Sequence, residues 1–233
     1  MRPIRSLLIT AFCSTAILFS CRLSATPIVV NFDNVAAVTS GTLYPGNTFS
    51  NFGVSFSSCI SPSALPASSN IALLGIDSRI VVNGNANCIS SPNFIGGIHA
   101  ANGPNDTNDV LMSFAAPIFS IQITTDDASE TGELIRLLAL EPTENPWEFT
   151  VIGISEGMDS ATSNPANQLS IDLGTKSFSY ALFQVTTESE GFDNLTFVPA
   201  PEPSAMWLLL FALLLGGPAL HLIRRPAKES SLQ

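Results

Sequence analysis

Residues that could carry out acid–base or nucleophilic chemistry are few and scattered in this chain. His99 is the only histidine of the segment 26–200, and no cysteine or second histidine stands beside it at the spacing of a zinc site. No Gly-x-Ser-x-Gly sequence marks a nucleophile at a strand-to-helix turn. Asp126-Asp127 is a carboxylate pair of the kind that hydrolyses glycosides, but it stands in a polar connection where solvated charges are commoner. We therefore expect no catalytic residues.

Aromatic side chains offer a second kind of chemistry, because a planar ring presents a flat apolar face to a sugar. Trp147, beside Pro146 in a polar loop, is the aromatic residue most suited to an exposed position, and Tyr44, also predicted in a loop, is the second. A buried tryptophan that anchors the core is the more frequent role. The two residues are candidate ligand contacts, and the core role stays open for both.

The charge of the segment 26–200 is strongly acidic. Its basic residues are Arg79, Arg136 and Lys176, against 17 acidic residues. Such a surface repels phosphate backbones, so the composition excludes nucleic acid as an expected partner. It fits either cation binding or a generally solvated surface in a salty exterior.

Two of the four cysteines, Cys13 and Cys21, lie in the N-terminal apolar segment, which leaves Cys59 and Cys88 as an even pair. In an oxidising compartment such a pair predicts a disulfide, worth about 2–4 kcal/mol for a loop of this size. Two buried free thiols or a metal site are the alternatives.

The elements that must position these residues are predicted to be strands. Short β-branched or aromatic runs alternate with Gly, Pro, Asn and Ser, and no stretch of the segment 26–200 keeps a helical apolar period for long. Phe49–Phe56 alternates like a half-buried strand, and Asp109–Phe114 with Phe119–Thr125 suggests a paired unit around Pro117. About ten short strands in one domain of this length predict an all-β fold, a single β-sandwich of jelly-roll type.

The first 25 residues have the pattern of a secretory signal peptide. Arg2 and Arg5 form a basic start, Leu7–Phe19 is an apolar core, and Ala25 is a small residue before a cut ahead of Thr26. Cys21 resembles the lipidated residue of a lipoprotein box, which is the alternative to plain cleavage. In both cases the protein is exported.

The C-terminal segment predicts a membrane span. Residues 198–204 form a linker with the triplet Pro201-Glu202-Pro203, residues 205–223 are apolar, and residues 224–233 form a basic stop and tail that begins with Arg224-Arg225. Nineteen helical residues cover about 28 Å, close to the hydrocarbon core of a bilayer. The arginine pair predicts that residues 26–197 lie outside the cytoplasm.

The triplet, span and basic pair, in this order at the C-terminus, resemble the PEP-CTERM sorting signal, a type of anchor also labelled VPEP and linked to ice-binding proteins. The resemblance covers Pro201 to Arg225 and implies processing near the triplet by an exosortase, a membrane transpeptidase of Gram-negative bacteria. It also implies an association with exopolysaccharide and biofilm. Pro218 and His221 inside the span, and the eight residues after Arg225, depart from the family pattern. A plain stop-transfer anchor is the alternative.

The two ends of the domain repeat a Phe-Asp-Asn sequence, once with Asp33 and once with Asp193. The closing Phe-Asp-Asn-Leu-Thr-Phe is similar to many PEP-CTERM ectodomains, which look like galactose-binding jelly rolls. That resemblance implies that the first and last strands are neighbours and that Asp33 and Asp193 are candidate ligands of a structural Ca²⁺. The alternative is that both Asp-Asn pairs make turns.

These patterns together predict an exported, non-enzymatic protein. It is held in the inner membrane by its C-terminal helix, with residues 26–197 in the periplasm, and is then delivered to the cell surface or matrix. Its expected partners are the exosortase, the secretion machinery and exopolysaccharide, with carbohydrate binding or adhesion as its activity. A secreted hydrolase with the same tag and a permanent single-pass membrane protein are the alternatives.

Overall fold

A computed structural model describes residues 25–35, 42–62, 70–84, 93–96, 109–126, 134–158, 167–185 and 191–201. The segment Thr26–Ala200 forms one compact unit, and its described residues form a curled antiparallel sheet with two short 3₁₀ segments, Phe32–Asn34 and Gly46–Phe52. The strands are β1 (Ile28–Val30), β2 (Thr42–Pro45), β3 (Val54–Ile60), β4 (Asn70–Ala72), β5 (Leu74–Asp77), β6 (Arg79–Gly84), β7 (Asn93–Gly96), β8 (Asp109–Asp126), β9 (Leu134–Pro142), β10 (Glu148–Met158), β11 (Asn167–Asp172), β12 (Phe178–Val185) and β13 (Gly191–Pro199). The predicted all-β class is confirmed.

The longest strand, β8, organises the sheet. Its first half pairs with β3 and β12, and its second half pairs with β11 and β13. The prediction that Asp109–Phe114 and Phe119–Thr125 pair with each other is therefore wrong, because both belong to one continuous strand. Pro117 is tolerated inside this strand since it is exposed, and its carbonyl accepts a hydrogen bond from the Ala200 amide at 2.7 Å.

The first half of β8 belongs to a group of five strands, and the two outer strands of this group are connected by the short strands β4 and β5. The order there is β3, β8, β12, β9 and β10; β4 pairs with the free edge of β10, and β5 pairs with the free edge of β3. Only Leu73 separates β4 from β5. The five strands therefore curl until their outer members are bridged by a single stretch of chain.

The curl produces two separate apolar clusters, one on each face of these strands. The smaller cluster lies within the curl and contains the side chains of Cys59, Ile71, Leu73, Leu111, Leu138, Leu140, Phe149 and Leu182. The larger cluster includes Phe32, Phe49, Phe56 and Phe192, whose ring centroids are 5.0–6.3 Å apart in the contacting pairs. Alternating residues of β9 serve both clusters, because successive side chains of a strand point to opposite faces.

The first and last strands are neighbours, as the resemblance implied. β1 pairs antiparallel with β13, with Ile28 opposite Phe197 and Val30 opposite Leu195. The start of β1 and the end of β13 therefore lie side by side, so both ends of the compact unit emerge at the same place.

One predicted strand is partly wrong. Phe49–Phe56 begins as a 3₁₀ segment that ends at Phe52, and strand β3 starts only at Val54. Gly53, with φ of 82°, makes the change of direction between them. Phe49 is buried in spite of this, because the 3₁₀ segment packs its ring into the larger cluster.

The predicted membrane segment lies outside the described residues. None of the helices among the residues that the structure describes is long and apolar enough to cross a bilayer. Residues 1–24, the apolar run 205–223, Glu202, Pro203, Arg224 and Arg225 are all beyond the described ranges. The predictions made for them remain predictions.

Candidate cation site

The first carboxylate of the site is fixed by the turn that follows β1. Asn31 caps the 3₁₀ segment Phe32–Asn34, and its side-chain oxygen accepts a hydrogen bond from the Asp33 amide at 2.7 Å. The Val35 amide closes the turn by donating to the Phe32 carbonyl at 3.1 Å. The Asx-type cap holds Asp33 in place, with its side chain only partly buried.

The second carboxylate lies in an irregular part of β13. The register between β13 and β8 shifts between Asp193 and Thr196, and Asn194 between them has φ of 51°. The Asn194 amide donates to Asp193 Oδ1 at 2.6 Å, and Asp193 is only 5% exposed. The bulge therefore turns an acidic side chain into the protein rather than towards solvent.

The two carboxylates are close enough to repel each other. The pKa of Asp193 is raised to about 6, first by burial and then by the charge of Asp33, against hydrogen bonds from the Asn194 and Phe32 amides that lower it. The amide of Phe32 belongs to the turn that carries Asp33. The structure thus brings together the two aspartates that the sequence singled out.

Asn93, in β7, is a third member of the site that the sequence did not indicate. Its backbone amide donates to Asp33 Oδ1 at 3.4 Å, and its side-chain nitrogen donates to the carbonyls of Phe32 and Val35 at 3.2 and 2.9 Å. The residue is fully buried, and its Oδ1 has no hydrogen-bond partner among the described residues. If the side-chain oxygen and nitrogen of Asn93 were exchanged, the oxygen, which is an acceptor, would face two carbonyl oxygens. The orientation of the side-chain amide is therefore fixed. An unsatisfied buried oxygen in the residue whose backbone binds Asp33 requires an explanation.

This donor set fits a hard cation. Ca²⁺ binds six to eight oxygens from carboxylates, amide and backbone carbonyls, and water. The carboxylates of Asp33 and Asp193 would supply part of such a shell, and a bound cation would remove the repulsion between them. Within the described ranges no three His, Cys, Asp or Glu residues cluster as a metal site. The donors at this site are oxygens, which calcium prefers, whereas zinc favours nitrogen and sulfur ligands.

A second buried carboxylate, Asp109 at the start of β8, is satisfied by the protein itself. Its Oδ2 accepts the Ser61 amide at 2.9 Å and its Oδ1 accepts the Val185 amide at 3.1 Å. Burial raises its pKa to about 6 although these hydrogen bonds lower it. Gln184 extends the network by donating to the Ser61 hydroxyl at 2.6 Å. Asp109 thus ties the end of β3 to the end of β12, which is a structural role.

The predicted disulfide is not present at Cys59. Cys59 is a buried free thiol in the smaller cluster, and its Sγ lies 3.9 Å from the carbonyl oxygen of Asp109. Burial, with the nearby Asp109 charge, raises the pKa of the thiol above its usual range. The side chain packs into the curl of the sheet; Cys88, its predicted partner, lies outside the described residues.

The two aromatic candidates lie in different environments. Trp147 is in the turn between β9 and β10 and is 53% exposed, as predicted. Tyr44 is not in a loop: it lies in β2 opposite Ile80 and packs against the larger cluster. Of the two, only Trp147 presents its side chain mainly to solvent.

His99 lies outside the described residues, and Asp126 ends β8.

No protein-family model matches the chain, and no curated protein matches it significantly.

Proposed function

We propose that the chain is an exported, non-enzymatic surface or matrix protein whose β-domain binds carbohydrate, is stabilised by Ca²⁺, and is tethered at one end by a C-terminal sorting signal. The supporting geometry is the pairing of β1 with β13, which puts both ends of the domain side by side. An N-terminal leader and a C-terminal anchor then leave the domain from the same place. A domain held in this way exposes its opposite end to the surroundings.

In this proposal the cation site lies away from the end of the domain that is joined to the C-terminal sorting signal. Asp193 is six residues before Pro199 along β13, or about 20 Å at the rise of a strand. The finer fold assignment, a jelly-roll sandwich, is part of the proposal and is supported by the two halves of β8. Each half pairs with a different set of strands.

The proposed calcium site is tested by thermal unfolding of the full chain in detergent. The protein is first treated with a chelator, and unfolding is then measured with and without added Ca²⁺. Ca²⁺ at about one hundred times its dissociation constant stabilises a folded protein by about 2.7 kcal/mol, or about 5–10 °C in a domain of this size. We expect Ca²⁺ to raise the unfolding temperature of the wild type by this amount and not to raise that of Asp193→Asn. The reason is that the variant lacks one carboxylate ligand and the buried charge that a cation would neutralise.

Asp172→Asn is the matched control. Asp172 is an exposed aspartate that accepts a local hydrogen bond from the Gly174 amide at 2.8 Å, so its replacement should leave the Ca²⁺ response unchanged. An absent response in the wild type, or an equal response in Asp193→Asn, would contradict the calcium site.

Delivery is tested separately by the mass of the mature protein, because a processed chain lacks residues 205–223. A permanent single-pass membrane protein would keep them.

A further inference from the structure

Trp147 is held in a backbone conformation that a bulky residue rarely adopts. Its φ is 61°, in the left-handed region, and its residue is 53% exposed. A non-glycine residue there is disfavoured by contact between its Cβ and the backbone. Such strain persists only where the surrounding structure enforces it, and it is concentrated at functional sites.

Three backbone hydrogen bonds hold the turn that contains Trp147. The Thr143 amide donates to the Glu148 carbonyl at 3.0 Å, and the Glu148 amide donates to the Asn145 carbonyl at 3.2 Å. The Leu73 amide, at the link between β4 and β5, donates to the Trp147 carbonyl at 2.9 Å. The backbone of Trp147 is therefore fixed, while its ring extends into solvent.

From the turn that carries Trp147, a row of hydrogen-bonded polar side chains runs to the edge strand β4. The Glu148 carboxylate accepts from Asn145 Nδ2 through Oε2 and from Asn70 Nδ2 through Oε1, the latter at 3.4 Å. Thr150 Oγ1 donates to Asn70 Oδ1 at 2.9 Å. We call Asn70, Asn145, Glu148 and Thr150 the polar row. It is arranged in advance, because the carboxylate orients both amides.

The polar row keeps unused hydrogen-bonding capacity at the surface. Each amide nitrogen has a second N–H, and the carboxylate has further lone pairs. Asn70 and Asn145 are exposed. An exposed indole in the same turn as Asn145 and Glu148 suits a sugar ring, which has apolar C–H faces and a rim of hydroxyl groups.

The charge around the site selects among sugars. The one charged side chain of the polar row is an acid, and the domain carries three basic residues against 17 acidic ones. Uronic-acid or sulfated chains would be repelled. The site therefore suits a neutral polysaccharide.

We propose that Trp147 and the polar row bind a neutral polysaccharide chain, with one sugar stacked on the indole and its hydroxyl groups bonded to Asn145, Glu148 and Asn70. This inference rests on the proposed carbohydrate-binding function and assigns it a place and a ligand class. The site does not involve Asp33, Asp193 or Asn93.

The test uses the full chain in detergent with the hexasaccharides of cellulose, laminarin, mannan and chitin as neutral probes, and hexagalacturonate as the acidic probe. Trp207 is the second tryptophan of the chain. Trp207→Phe therefore serves both as the matched control and as a background in which fluorescence reports on Trp147 alone. Calorimetry measures the affinity of each variant.

We expect at least one neutral hexasaccharide to bind, to shift the fluorescence of the Trp207→Phe protein, and to bind at least tenfold more tightly than hexagalacturonate. Trp147→Gly should weaken binding at least about tenfold, since tryptophans at binding sites carry a large share of the affinity. Its unfolding temperature should be unchanged or higher, because glycine adopts the left-handed conformation without strain. Glu148→Gln should weaken binding less than Trp147→Gly.

Three results would overturn the assignment of this site while leaving the proposed carbohydrate binding in place. The first is wild-type affinity in Trp147→Gly, and the second is equal or tighter binding of the acidic probe. The third is a change of oligomeric state in Trp147→Gly with sugar binding intact, which would make the surface a contact between copies of the chain. Neutral-sugar binding that Trp147→Gly does not weaken rejects this site but leaves the proposed function in place. Absence of binding to every probe also rejects the carbohydrate-binding part of the proposed function.

Discussion

At the scale of single residues, two buried carboxyls make stability depend on pH in an unusual direction. The pKa values of Asp109 and Asp193 are both raised to about 6, with burial as the largest cause. Because the ordinary value is 3.8, each contributes stability that is complete below pH 3.8 and is lost as pH rises through 6. Ionised at neutral pH, both carboxylates oppose folding.

For Asp109 this gives a prediction about Asp109→Asn. Two pKa units correspond to about 3 kcal/mol, so the wild type should lose up to this amount from Asp109 between pH 4 and 7.5, whereas the variant has no such charge to bury. At pH 4.5 the variant should be less stable by about 1–2 kcal/mol, because its amide accepts through one oxygen only. Urea unfolding at the two pH values measures both effects.

Asp172→Asn is again the control, and its pH dependence should equal that of the wild type. If Asp109→Asn kept the full wild-type pH dependence, the assignment of this effect to Asp109 would be wrong.

The sequence revealed Asp33 and Asp193 because they repeat one local pattern at the two ends of the domain. It did not reveal Asn93, which stands in an ordinary Pro-Asn-Phe stretch and gains its role only from contacts with the distant turn 32–35. Asp109 opens a predicted strand, but its spacing does not indicate that it is fully buried between β3 and β12. Such roles arise from partners far away in sequence, and residue spacing does not encode them.

At the scale of elements, most of the predicted strands are present, and the errors lie where neighbours decide the structure. β9, β10 and β12 contain short β-branched or aromatic runs of the kind that predicts strands, and their side chains contribute to both apolar clusters. Pro117 suggested a break in β8, yet the chain continues through it in an extended conformation. Local pattern identifies extended chain; which strands pair is decided by long-range packing.

The close contact at Gly46 yields an element-scale prediction. Gly46 starts the 3₁₀ segment between β2 and β3, and its amide donates to the Ser78 carbonyl at 2.7 Å. A Cβ at this position would lie 1.7 Å from the Phe56 carbonyl oxygen and 2.8 Å from that of Ser78. Gly46→Ala should therefore lower the unfolding free energy by about 3 kcal/mol or more, since backbone must move.

The comparison is Gly174→Ala, where φ is 65° and no atom lies within 4 Å of the added Cβ. Only the left-handed backbone is then disfavoured, by about 1–2 kcal/mol. Thermal unfolding of both variants distinguishes the two costs. Equal losses would show that the close approach at Gly46 is not a determinant of stability.

At the scale of the whole molecule, the two ends of the compact unit lie apart from the candidate cation site and from Trp147. Both ends of the compact unit meet where β1 and β13 pair, whereas the aspartate pair lies near the start of β13. Trp147 is on a different part of the sheet, in the turn between β9 and β10. We expect a protein attached through its C-terminal segment to present these surfaces to its surroundings.

We propose that the C-terminal segment is a sorting signal that is removed. Its most direct test is the intact mass of the mature protein from its native host, for the wild type, for Glu202→Gln in the Pro-Glu-Pro triplet, and for Glu229→Gln in the tail as a control. We predict that the wild type and Glu229→Gln begin near Thr26 and lack residues 205–223, and that Glu202→Gln keeps them. A wild-type mass that includes residues 205–223, or a Glu202→Gln protein processed like the wild type, would contradict the account.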